Sequence, residues 1–319
     1  VYDLYLKLLS TPEMSRLYGI KQLGLSYLVY PGANHTRFEH SLGTWFVAER
    51  IAERVGIEGY DKDVLLVAAM LHDIGHGPYS HTIEDVYRDI IKKSHVDIGC
   101  SVIEGKYDII AKDDRKFLRA RAIPEILERN GIKPRDISRL LKGKGRKKYL
   151  TKIISSDVDC DRMDYLVRDS HYTGVAYGLI DVQRIIDTLV KYKNDLFFLS
   201  KGISAVENMM VGRAVMYTSV YLHKTVRIAE LMLSRAVRIA KDKLGEIEKM
   251  DDNMLFTALQ RCSGHAHRIW KMVRYRRLFK AAFSIDIKRA EVASEEGGGG
   301  KAVYGDEEVR KALQFGAIE

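Results

Sequence analysis

The run Leu71-His72-Asp73-Ile74-Gly75-His76-Gly77-Pro78 puts an imidazole and a carboxylate on adjacent residues. Neutral imidazole and ionised carboxylate suit a borderline or hard divalent ion such as zinc, iron or manganese. Two ligands do not complete such a centre, and the chain offers two more. His40 stands in Thr36-Arg37-Phe38-Glu39-His40-Ser41, and Asp161 in Asp157-Val158-Asp159-Cys160-Asp161-Arg162-Met163-Asp164-Tyr165. Spacing alone does not bring them together. If assembled, two imidazoles and two carboxylates leave open positions on a six-coordinate ion, where water becomes nucleophilic near neutral pH and a phosphoryl oxygen is polarised. The alternative for a histidine on an apolar helix is a hydrogen-bonded core residue. It weakens for a His-Asp pair closing a buried helix, because a buried charge needs a strong partner.

The elements that must hold these groups read as helices. Val47, Ile51 and Val55 recur every four residues, which predicts an amphipathic helix over residues 41–55. Asp61-Lys62-Asp63 supplies acidic and capping residues before the apolar block 64–71, predicting a buried helix that runs to His72-Asp73 and stops near Gly75 and Gly77. Pro78 then opens another helix carrying Ile83, Val86, Ile90 and Ile91. Helical patterns also cover residues 161–169, 203–243 and 253–283. Strand signals are few: Leu196-Phe197-Phe198-Leu199 as one arm of a small β-hairpin, and Tyr27-Leu28-Val29-Tyr30 as a short extended segment. The fold class is mainly α. Residues 142–148, rich in Lys, Arg and Gly, read as an exposed loop. The glycine run 297–300 marks a flexible linker, dividing a main domain at 1–290 from a C-terminal appendage at 291–319.

With 319 residues, 46% of them hydrophobic, the chain can bury a substantial core. Its longest apolar run, residues 64–71, is far short of a membrane span, and no secretory signal is visible. Cys100, Cys160 and Cys262 lack CxxC spacing and read as reduced thiols of a cytoplasmic protein. A net charge of +9 suits a polyanionic ligand, either nucleotide or nucleic acid. A nucleic-acid-binding module would use the basic loop and Arg274-Tyr275-Arg276-Arg277. That arginine run lies in an amphipathic pattern, where packing or an oligomer interface fits better.

Several runs together carry a resemblance: Ile20-Lys21-Gln22-Leu23-Gly24, Tyr30-Pro31-Gly32-Ala33-Asn34-His35-Thr36-Arg37-Phe38-Glu39-His40-Ser41-Leu42-Gly43, the stretch 72–81, the stretch 159–172, and Tyr221-Leu222-His223-Lys224. Over roughly residues 5–285 the chain resembles the HD-domain metal-dependent phosphohydrolases. It is most similar to the sterile-alpha-motif/HD-domain deoxynucleoside triphosphate triphosphohydrolases and their prokaryotic relatives. The resemblance implies a helical HD fold with His40, His72, Asp73 and Asp161 as ligands of a divalent ion (Mn, Fe, Zn, Ni or Co), and Mg accompanying the substrate phosphates.

It also implies that His76, His81, Glu84 and His95 line the reaction centre. His81 would protonate the leaving 5′ oxygen and Glu84 would orient it; a helix opening at Pro78 puts the two on one face. Glu84 stands where these relatives more often have Asp. For His76 and His95, phosphate binding or a second metal site is an alternative to proton transfer. Gln22 and Leu23 would lie against the deoxyribose, and Arg37, Arg162, Tyr165, Asp169, Arg213 and Tyr221 against the triphosphate and nucleoside. Asp161, Tyr165 and Asp169 recur every four residues, and Arg213, Tyr217, Tyr221 and Lys224 share one face of the long predicted helix. The implied reaction is hydrolysis of a deoxynucleoside triphosphate to deoxynucleoside and inorganic triphosphate, with metal-activated water attacking the α-phosphorus. Other phosphoesters, such as guanosine tetraphosphate derivatives, nucleoside monophosphates or NTPs, are the enzymatic alternative. A homo-oligomer, dimer or tetramer, is expected. Leu222 replaces a Gln that helps hold the nucleobase in these relatives. Ser10, Ser15 and Tyr18 replace residues of a guanine-nucleotide activator site, so the same GTP activation is not expected.

Overall fold

Thr36 opens the helix that carries the first candidate ligand. Its side chain accepts the Glu39 N–H while the Glu39 carboxylate accepts the Thr36 N–H, a reciprocal cap that starts the helix at Arg37, ahead of the predicted residue 41. The structure is a computed structural model and describes residues 2–79, 82–118 and 121–280. In chain order they form α1 (Tyr2–Leu9), α2 (Pro12–Arg16), α3 (Arg37–Val55), α4 (Gly59–Leu71), α5 (Glu84–Ile91), α6 (His95–Ile103), α7 (Lys112–Leu118) and α8 (Ile123–Arg129). Then follow α9 (Pro134–Leu141), α10 (Lys148–Ile154), α11 (Cys160–Thr173), α12 (Val182–Asp187), a hairpin of β1 (Leu189–Tyr192) and β2 (Asp195–Phe198), α13 (Ile203–Met216), α14 (Lys224–Leu244), α15 (Asp252–Arg261) and α16 (Gly264–Arg274). The hairpin is antiparallel, with Leu189 opposite Phe198 and Tyr192 opposite Asp195. Val1–Leu278 make one compact unit. The linker at 297–300 and the boundary at 290 lie outside the described residues.

Two apolar clusters build this unit. In the first, α4 is buried on every side from Val64 to Leu71 and packs between α3, α9 and α10, with α11 laid across α3. Full burial is why its sequence lacks a polar face. In the second, α14, α15 and α16 close over Leu25, Tyr79, Ile83, Val86 and Tyr87. Cys100, Cys160 and Cys262 are all unpaired thiols, and no described helix is long and apolar enough to cross a membrane.

Four expectations need correction. Pro78 does not open a helix: Tyr79 sits at φ 46°, in the left-handed region that a bulky side chain rarely adopts, and α5 starts only at Glu84. The segment around Tyr27 is a 3-10 turn over Ser26–Leu28, not an extended strand. The long helix expected over 203–243 breaks into α13, a wide π turn at Tyr217–Tyr221, and α14. The break follows from the Leu222 N–H reaching the Tyr217 carbonyl, after which the His223 ring accepts the Thr225 N–H and caps α14 anew. The pattern over 253–283 is two helices, α15 and α16, and residues 281–283 lie outside the described part.

Candidate active site

The apolar block of α4 ends at His72, so the first polar residues after it emerge from the core already fixed by the helix. The His72 Nδ1 donates to the Ala69 carbonyl at 2.8 Å, which leaves Nε2 as an acceptor facing outward. His40, one turn into α3, donates its Nδ1 to Asp164 at 2.8 Å and aims its own Nε2 at that of His72, 3.2 Å away. Asp161, in the first turn of α11, brings Oδ1 to 2.9 Å from His40 Nε2 and 3.7 Å from His72 Nε2. Asp73 Oδ1 lies 3.3 Å from His72 Nε2, and its Oδ2 lies 3.9 Å from His40 Nε2. His40, His72 and Asp161 thus form a cluster able to hold a metal ion, with Asp73 alongside.

These donors fit a divalent cation. Ligands at about 2.1 Å from one ion and at right angles to each other stand roughly 3.0 Å apart, close to the spacings here. Both Nδ1 protons are committed to acceptor-only partners, so two imidazole lone pairs converge between two carboxylates. The same field acts on protons. Burial would lower the His40 pKa, yet its bonds to Asp161 and Asp164 push it up to about 10. Burial would likewise raise the Asp73 carboxyl, but His72, Arg37 and His76 hold it well below the usual range.

Around the cluster lies a cavity of about 450 Å³, whose walls come from both apolar clusters. Arg37 lines it at 2% exposure; its Nη1 donates to Asp73 at 2.6 Å, while Nε and Nη2 are buried without a partner. His76 reaches Asp73 with Nε2 at 3.3 Å and stacks on His95 with ring centroids 3.9 Å apart. Burial, with Arg37 and His95 adding to it, holds the His76 pKa well below the ordinary value. Gly75 makes this stack feasible: a Cβ there would fall 2.1 Å from the His95 carbonyl oxygen. Gln22, Leu23, Tyr165, Asp169 and Tyr221 also line the cavity. Tyr221 donates to Asp169 at 2.7 Å, and Asp169 accepts from His35 Nε2 at 2.7 Å on its other oxygen.

Two sequence-derived residues sit differently from expectation. Arg162 turns back to the Ser156 carbonyl and the Asp159 carboxylate, bracing the start of α11, and is not part of the cavity wall. Arg213 is not part of the wall either, but its guanidinium lies 5.7 Å over the ring of Tyr217, which is. His81 lies outside the described residues, as does the side chain of Glu84, which is the first residue of α5. The shared helical face expected for His81 and Glu84 therefore lies outside the described residues. In the basic loop, Lys142 pairs with Asp97, Lys147 with Asp61 and Lys148 with Asp195, so these charges are compensated within the fold.

Other site residues went unseen in the sequence. Asp164 orients His40 and stands three residues after Asp161, a spacing that shares a helix face. Arg16 donates to the carbonyls of Ile74, His76 and Met250, tying the histidine loop to the second cluster. Asp252 accepts the N–H groups of Lys21 at 2.9 Å and Tyr79 at 2.8 Å, clasping two cavity loops to α15. These last contacts span more than 170 residues in one case and more than 230 in the other, and no local pattern announces them.

Residues 37–169 match the HD domain and residues 180–302 match the HD associated region. The first match begins at Arg37, ends at Asp169 and encloses all four candidate ligands. An uncharacterized protein of Methanocaldococcus jannaschii is 41% identical over 263 residues, covering 80% of this chain and 51% of that protein. The deoxynucleoside triphosphate triphosphohydrolase of Homo sapiens is 28% identical, over 88% of this chain and 52% of its own length. The chain spans about half the length of the curated relatives it matches. A crystal structure of a phosphohydrolase from Bacteroides thetaiotaomicron matches with a TM-score of 0.69 at 30% identity, over 90% of this chain and 75% of that one. On the motifs, the helical frame and these matches, the chain belongs to the HD-domain phosphohydrolase family.

Proposed function

We propose that this protein hydrolyses deoxynucleoside triphosphates to deoxynucleoside and inorganic triphosphate, in the cavity beside His40, His72, Asp73 and Asp161. Arg37 carries the reading. Its guanidinium is buried against Asp73, yet two of its donor nitrogens, on one edge of the fork, have no protein partner at the cavity wall. Buried donors are normally satisfied, and a forked cation of this kind matches a phosphate. A divalent ion held by the four ligands would supply Lewis acidity, polarising a phosphoryl oxygen and lowering the pKa of water.

The chain's own residues position and screen. Burial raises the Tyr165 pKa, so its hydroxyl stays a proton donor toward phosphate oxygens. Asp169 holds the Tyr221 hydroxyl at 2.7 Å, and Leu23 and Ile154 add apolar surface to the cavity wall. His81, with Glu84 as its orienting partner, is assigned the proton for the leaving 5′ oxygen by resemblance to the family. Gln22 and Leu23 take the deoxyribose on the same basis, and the naming of the human relative supports a deoxynucleoside triphosphate as substrate. Catalysis of this type is mostly positioning and charge neutralisation.

Incubating the metal-loaded protein with a panel of dNTPs, NTPs, monophosphates and guanosine tetraphosphate, then chromatographing both products, tests the reaction. Deoxynucleoside and triphosphate are expected. Monophosphate and pyrophosphate from every dNTP, or turnover only of other phosphoesters, would replace this reading with a different phosphohydrolase. The expected homo-oligomer, dimer or tetramer, is checked by light scattering on the same preparation.

A further inference from the structure

The cavity wall carries a second set of polar groups besides the metal ligands. Gln22 and Leu23 lead to Gly24, which sits at φ 51° and packs tightly: a Cβ there would come within 3.1 Å of Thr82 Oγ1. Thr82 in turn donates to Glu230 Oε1 at 3.2 Å, and Arg227 donates to Glu230 Oε2 at 2.6 Å. Thr82, Arg227 and Glu230 all line the cavity. The cavity that holds the ligand cluster, Arg37 and Gln22 therefore also presents a carboxylate outside that cluster. Leu222, by contrast, points out at 55% exposure and takes no part in the wall.

Glu230 is not an ordinary surface ion pair. Its side chain is 10% exposed while its partner Arg227 is 44% exposed, so the anion is the buried member. Burial raises its pKa above the usual glutamate value despite Arg227 and Thr82. An ionised carboxylate has about four lone-pair positions, and Arg227 and Thr82 occupy one on each oxygen. One acceptor position per oxygen remains at the cavity wall, on a group that can only accept. Guanine presents two adjacent N–H donors, N1–H and the 2-amino group, on one edge. Adenine and cytosine offer a single amino group beside an acceptor, and thymine one N–H between two carbonyls.

We propose that Glu230, held by Thr82 and Arg227, reads the N1–H and 2-amino edge of a guanine base, making the site selective for a guanine nucleotide. This rests on the nucleotide reading above and gives the base preference that Leu222 does not supply. Arg227, half exposed, also has donors left for the base's O6 side.

The test compares dGTP with dITP, which lacks only the 2-amino group, on the wild-type metal-loaded protein. Dissociation constants come from calorimetry with α-thiophosphate analogues that resist turnover, and kcat/KM from the natural nucleotides. A hydrogen bond to a charged acceptor predicts that dGTP is favoured over dITP by about ten- to hundredfold. In Glu230→Gln, whose amide offers a donor to one of those groups, the ratio falls to about one. Equal affinity for dGTP and dITP in the wild type, or an unchanged ratio in Glu230→Gln, overturns the proposal. The wild-type comparison does not depend on the variant folding. If guanine nucleotides bind selectively but yield monophosphate, the subsite stands and the triphosphohydrolase reading falls.

Discussion

His40 and His72 turn their Nε2 atoms toward each other at 3.2 Å while Asp164 and the Ala69 carbonyl hold the opposite nitrogens. With each Nδ1 proton committed, the two Nε2 atoms meet around a positive charge, either a proton that the bond to Asp161 favours on His40 or a metal ion. Stripping the metal with a chelator is expected to lower Tm by on the order of 5 °C, and re-adding a divalent ion to restore it. A melting curve indifferent to chelation would mean the centre is held by protons instead.

Asp164 touches no candidate ligand site on the ion but fixes the tautomer of His40, and it is itself braced by Arg168 at 2.8 Å. Asp164→Asn should weaken metal affinity by about 10- to 100-fold, as for other outer-shell partners. Metal titration of the stripped variant measures this. Wild-type affinity would show that α3 packing alone orients the ring.

Arg37→Lys keeps a cation beside Asp73 but loses the two-donor edge. A drop in kcat/KM of about 100-fold is expected, since a point charge does not reproduce the fork. Bound metal should stay near one equivalent in elemental analysis. A variant that loses metal in step with activity would place Arg37 in ligand support rather than phosphate binding.

Asp252 supplies a pH signature away from the metal. Burial pushes its carboxyl from 3.8 up to about 6, against the pull of the Lys21 and Tyr79 N–H groups. With the folded pKa above the unfolded one, its contribution to stability is complete below about pH 4 and is lost as pH rises through about 6. The loss is on the order of 2–3 kcal/mol at most. Asp252→Asn cannot ionise, so the wild-type advantage over it should shrink between pH 4 and 6.5 and then stay flat. Denaturation curves across that range check the slope; a widening gap would contradict it.

How much of this was legible in the sequence varies by residue. His72-Asp73 was readable because the apolar block before it left only one helix end for the pair to occupy. The hairpin was readable from Asn194 and its apolar flank, and its turn falls where Lys193 takes φ 52°. The early start of α3 had a local signal in Thr36 and Glu39, which the apolar periodicity overlooked. Pro78 misled because proline also begins turns, and nothing local shows that Asp252 captures the Tyr79 N–H. The π turn at Tyr217–Tyr221 lies inside an unbroken helical pattern, and one extra residue per turn leaves no mark on composition. Arg16, Asp252 and Glu230 act through partners far along the chain, so only the fold brings them into view.

The walls of the cavity belong to two separate apolar clusters, joined across it by Arg16 and the Asp252 clasp. The site is therefore a seam in the molecule as well as a pocket. Under the proposed function, a nucleotide lying in it would touch both sides and act as mortar. Without it the bundle of α14, α15 and α16 is expected to exchange amide protons as a separate unit from the α3–α4–α11 half, and with it the two halves should exchange as one body.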